Sequence, residues 1–99
     1  MPDPERAWLA LGFDDPVKHW VREYAPRLAV IRNVRDWIRS REVDPFAGVR
    51  IVPGFDDLFF GIVPGTMGDD GWVVTCSYWV IRADSVVRCD VLSTASWPV

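Results

Sequence analysis

Three arginines in the second half of the chain, Arg50, Arg82 and Arg88, fall in or at the ends of segments that read as strands. A cluster of this kind on one sheet face is what phosphate recognition requires, and such cations can also stabilise the charge that develops at phosphorus during metal-independent cleavage of RNA. Pairing with neighbours such as Asp84 or Asp90 is the competing use for each of them. A second candidate is a set of carboxylates. The tetrapeptide Ile-Val-Pro-Gly begins at Ile51 and again at Ile62, and the copies run on to Asp56-Asp57 and Asp69-Asp70. Several oxygens can hold a hard divalent cation, but the spacing is not that of an EF-hand, and adjacent aspartates in an extended segment point to opposite faces. Val-Pro-Gly ends a strand and begins a turn, so the aspartates read as Asx-type residues at loop tips, with no metal or cofactor expected.

His19 is the single histidine, and Cys76 and Cys89 are the two cysteines. They supply neither the ligand count nor the close spacing of a zinc site. Two separated thiols give no disulfide framework, so reduced, partly buried cysteines are expected, with Cys76 opposite a residue near Leu92 rather than opposite Cys89. No glycine-rich loop opens a helix after a strand, which argues against nucleotide binding by that route.

A third constellation is basic. The net charge of −3 conceals a segregation: residues 1–15 carry one base against four acids, residues 16–50 eight bases against four acids, and residues 51–99 two bases against six acids. At 100° per residue, Val30, Ile31, Val34, Trp37 and Ile38 share one arc of a helix, while Arg32, Arg35 and Arg39 gather on another with Leu28. The first stripe is core, and the second is a ridge suited to an anionic partner. Asp36 can pair with Arg32 at i, i+4 without silencing it.

The elements that must position these groups follow from local chemistry. With 49% hydrophobic residues and six tryptophans, the 99 residues suit one domain with one core. Asp3-Pro4 and Asp15-Pro16 read as helix starts, giving helices from Pro4 to Leu11 and from Pro16 to Tyr24. Pro26 imposes a kink or a fresh start before a helix from Arg27 to Arg41. Asp44 to Gly48 is a loop. Strands are expected at Val49 to Val52, Leu58 to Val63, Trp72 to Arg82 and Val86 to Leu92, as two successive hairpins. The third is apolar on both faces and so central in the sheet. The predicted fold is α+β: two or three N-terminal helices within 1–41, packed on a four-stranded antiparallel sheet over 49–92, with an apolar tail at 93–99. No long apolar run indicates a membrane span, and a cytoplasmic location is expected.

The order helix, Asp-Pro loop, Gly48-Val49-Arg50, Leu58-Phe59-Phe60-Gly61, Tyr78-Trp79-Val80 and Val86-Val87 to Val91-Leu92 resembles the RelE/ParE toxin superfamily over residues 27–92. The resemblance implies helices before an antiparallel sheet, with Arg50, Arg82 and Arg88 as phosphate-contacting candidates and Tyr78 as a member of the same face. It also implies an antitoxin or target protein as partner, with RNA or the ribosome as the other class. Three features depart from the family pattern. Ser93-Thr94-Ala95-Ser96 stands where ribosome-dependent members tend to carry histidine, arginine or tyrosine. An acidic, helix-prone segment takes the place of an N-terminal strand, and the isoelectric point is 4.9 where an RNA-binding toxin is normally basic. The expectation is therefore a small prokaryotic toxin-antitoxin-type protein acting by protein contact or by weak metal-independent endoribonuclease activity. The alternative is a non-catalytic immunity, phage or adaptor module that binds through exposed tryptophans, Trp97 among them, and the Arg32/Arg35/Arg39 ridge. Both leave room for a homodimer.

Overall fold

A computed structural model describes residues 7–96. The chain forms strand β1 (Leu9–Leu11), helix α1 (Asp14–Tyr24), helix α2 (Leu28–Val43), then strands β2 (Arg50–Ile51), β3 (Leu58–Ile62), β4 (Trp72–Ile81) and β5 (Val86–Ser96). The two helices lie on one face of a five-stranded mixed sheet ordered β1-β5-β4-β3-β2. The α+β class holds, and the sheet has one strand more than the sequence suggested.

The extra strand is the main correction. A helix was expected from Pro4 to Leu11; residues 1–6 lie outside the described chain, and Leu9–Leu11 is extended, running parallel to β5 with Leu9 beside Val86 and Leu11 beside Arg88. Tertiary pairing overrides local helix propensity here. The other edge of this strand is occupied by α2, since Trp8 N–H donates to the Glu42 carbonyl at 3.1 Å and Ala10 N–H to its carboxylate at 3.2 Å. Gly12, at φ +72°, then turns the chain from β1 toward α1.

The break at Pro26 is a fresh start. Ala25 ends α1 in the left-handed region, its N–H donating to the Val21 carbonyl, and Arg27 is the extended residue before α2. Along α2 the predicted stripe is the buried one: Val34 and Trp37 are in the core and Val30, Ile31 and Ile38 pack against it. Arg32, Arg35 and Arg39 are exposed, as is Leu28. Among the described residues Asp36 and Arg32 make no ion pair.

β4 is central and buried on both sides, with Val73, Val74, Thr75, Cys76, Tyr78 and Val80 all inaccessible. Val74, Cys76, Tyr78 and Val80 join Trp20, Val34 and Trp37 in the core beneath the helices. Leu58, Phe60 and Ile62 of β3 register with Trp79, Ser77 and Thr75 on the opposite face, open in that no described helix lies on it, although Leu58, Val73 and Thr75 there are buried. Gly61 lies directly under α2, where a Cβ would come within 2.9 Å of the Trp37 ring. β2 is only two residues long, and β5 extends four residues past the predicted end at Leu92, so Ser93–Ser96 is strand rather than tail. Cys76 lies opposite Leu92, as expected, while an extra residue in β5 at Asp90 shifts the register so that Tyr78 meets Cys89.

Candidate functional site

The open face of the sheet carries two of the three sheet arginines. Arg50 registers with Phe60, which in turn registers with Ser77, and Arg88 registers with Trp79, which faces Leu58. Both arginines are exposed. They are separated by three strand spacings and one two-residue step, on the order of 15 Å between backbones, so the two guanidiniums meet at one phosphate only if both side chains extend toward each other. Between them lies an apolar and aromatic strip of Phe60 and Trp79, the latter meeting Phe55 edge-on at 5.7 Å between ring centroids. Ser77 donates to the Asp90 carboxylate at 2.9 Å on this face, a pairing the sequence did not suggest because it depends on the irregular register at Asp90.

Arg82 does not join this pair. It sits in the 3-10 turn Arg82–Asp84, its Nε bonded to Asp57 Oδ1 at 3.1 Å and its guanidinium stacked 4.9 Å from the Phe46 ring. Asp57 is thereby engaged, and Asp70 accepts from the Trp72 N–H at 3.1 Å in the Asx-turn manner. Among the described residues no three ligating side chains come together.

Tyr78 requires a correction. Its parity in β4 places it on the helix side, where it is wholly buried. Its hydroxyl donates to the Pro45 carbonyl and accepts from Arg41 Nη1 at 3.3 Å. Burial holds the phenol above its ordinary pKa, partly offset by the Arg41 hydrogen bond. An inaccessible hydroxyl with its donor and acceptor capacity engaged is a structural anchor and cannot meet RNA on the open face.

Arg41 is the residue the sequence reading missed. It is 5% exposed, donates to the Ala47 carbonyl at 2.7 Å and to the Ser40 hydroxyl at 3.2 Å, and stacks 4.7 Å from the centre of the Trp37 ring, leaving Nε without a partner. The signal was present: Arg41 follows Val34 by two helical turns and so lies on the buried stripe.

The basic ridge of α2 stands on the other side of the molecule. Arg35 shares the rim of a shallow hollow of about 300 Å³ with Lys18 and Arg22 of α1, over a floor of Val17 and Val21. Arg32 and Arg39 extend the charge along α2. Trp97, the fourth partner-binding candidate, lies outside the described residues. His19 is exposed on α1, 3.4 Å from Glu23. No helix among the described residues is long and apolar enough to cross a membrane.

No family model matches the chain, and no curated protein matches it in sequence. Among solved structures, the E. coli toxin RelE, in the free state of a double arginine-to-alanine mutant, is similar with a TM-score of 0.61 at 14% identity, over 87% of this chain and 81% of that one. At that identity the likeness is one of architecture, and this chain has the RelE-like fold.

Proposed function

We propose that this chain is a RelE-like, toxin-antitoxin-type domain that acts by binding a protein, with Arg32, Arg35 and Arg39 of α2 meeting an acidic antitoxin or target. The observation that carries this reading is the basic face. On a chain of net charge −3, Arg32, Arg35 and Arg39 are all exposed, and Lys18 and Arg22 adjoin Arg35 around an apolar floor. Positive charge concentrated beside apolar surface steers and holds an acidic partner.

Weak metal-independent cleavage of RNA is the second reading, supported by Arg50 and Arg88 flanking Trp79 and Phe60 on one sheet face. Two considerations rank it lower: Tyr78 is buried, and Arg82 lies in the 3-10 turn against Phe46 and Asp57, apart from Arg50 and Arg88. Induced expression in a bacterial host separates the two. Growth arrest that survives Arg50→Ala with Arg88→Ala but disappears when Arg32, Arg35 and Arg39 are all changed to glutamate supports protein contact. Arrest lost in the sheet variant and kept in the helix variant transfers the activity to RNA. Harmless expression of the unmodified chain removes the toxin reading and leaves an interaction module.

A further inference from the structure

β5 is eleven residues long, and β1 covers its outer edge only beside Val86, Val87 and Arg88. β1 ends at Leu11 and the chain turns away at Gly12, so from Leu92 to Ser96 the strand has no second neighbour among the described residues. The direction of its backbone groups follows from β4. The Val74 carbonyl accepts from Val63 N–H and the Val80 N–H donates to Asp57, both on the β3 side. Alternation then sends the groups of Val73, Thr75 and Ser77 toward β5, where they meet Ala95, Ser93 and Val91. The N–H and C=O groups of Leu92, Thr94 and Ser96 therefore point outward. The Thr94 carbonyl meets only the Ser93 hydroxyl, at 3.4 Å, and no other backbone group of the described chain reaches this edge.

Natural sheets guard such an edge with lysine, proline or an inward-pointing charge. Here the sequence from Val91 to Ser96 is Val-Leu-Ser-Thr-Ala-Ser, with no charge and no proline; the irregularity at Asp90 lies at its far end.

We propose that this edge pairs with the same edge of a second copy of the chain, antiparallel about a twofold axis, joining two five-stranded sheets into one of ten. The pairing is self-complementary. Thr94 facing its symmetry mate, with Leu92 facing Ser96 on either side, places every outward group opposite a donor or acceptor. Ser93 then faces Ala95 across the axis on the open side, so small side chains allow close approach and no like charges meet. The neutral edge also offers nothing to a strongly charged strand, which is why a second copy fits better than a basic or acidic peptide. Val91, 54% exposed, would gain an apolar surround from the joined open face, which already carries Leu9 and Leu11. Trp20, bonded through Nε1 to the Thr94 hydroxyl at 2.8 Å, holds the strand from the helix side.

The proposal does not depend on what the arginines of α2 bind. Its test is light scattering over a concentration series together with amide hydrogen exchange on the unmodified chain. The expected result is a species of twice the chain mass whose Leu92, Thr94 and Ser96 amides gain protection as concentration rises. A combined Ser93→Lys and Ala95→Lys variant, checked for its fold by circular dichroism, should return the monomer. A monomer at every concentration overturns the proposal. So does a dimer in which these three amides exchange freely, or one whose folded lysine variant still dimerises. Protection that is independent of concentration would show that the edge is covered within one chain, and would overturn it as well.

Discussion

The hydroxyl of Tyr78 donates to the main-chain carbonyl of Pro45, and the guanidinium of Arg41 donates to the same hydroxyl at 3.3 Å. Strand, loop and helix end are thereby tied at one buried point, because Arg41 also holds the Ala47 carbonyl. Replacing Tyr78 by phenylalanine keeps the ring in the core and orphans the Pro45 carbonyl and an Arg41 donor. Unfolding in urea should show a loss of about 1–3 kcal/mol with unchanged m.

The same phenol carries a pH dependence. Burial raises the folded pKa of Tyr78 above the unfolded value of about 10, so the unfolded chain loses its proton first as pH rises. The contribution is fully present below that unfolded value and is lost as pH climbs through the folded one. Urea midpoints measured upward from neutral pH should fall at the alkaline end, and the fall should be smaller in Tyr78→Phe.

Gly61 is set by contact. A Cβ there would lie 2.7 Å from Val49 Cγ1 and 2.9 Å from Trp37 Cζ2, and Trp37 is pinned beneath Arg41. Gly61→Ala should therefore cost about 1–3 kcal/mol through overpacking, measured by the same denaturation curves.

The two thiols differ. Cys76 is buried, its thiol donating to the Ser77 carbonyl at 3.6 Å, and its interaction with half-buried Cys89 favours the thiolate at Cys89, against the effect of burial there. The same interaction disfavours the thiolate at Cys76, where burial acts in the same direction. Iodoacetamide at mildly alkaline pH should modify Cys89 first, with Cys76 reacting only as the fold opens; peptide mass mapping over time reads the order.

Arg82 and Asp57 pair at an exposed site, their side chains 58% and 37% accessible. Arg82→Ala should shift stability by no more than about 1 kcal/mol and should leave growth arrest unaltered, while added salt narrows the difference between variant and parent.

What the sequence disclosed was governed by period. The stripe of Val34, Trp37 and Ile38 on α2 and the two hairpins were legible because each repeats at its own spacing. Leu9–Leu11 was not legible, since three residues establish no period and their reason for being extended lies at Val86–Arg88. Tyr78 was misplaced because β4 is apolar on both faces, so its parity was visible but not which face the helices cover. The scatter of the three arginines came from register and from the turn that hands Arg82 to Asp57, and neither is encoded by spacing along one strand.

The parallel pairing of β1 with β5 joins the two ends of the described chain. Loop closure over nearly the full described length is slow, whereas β4 and β5 meet through a four-residue turn. During synthesis Leu9–Leu11 leaves the ribosome well before its partner at Val86–Arg88 is made. Leu9–Leu11 therefore has no strand to pair with until that partner has been made.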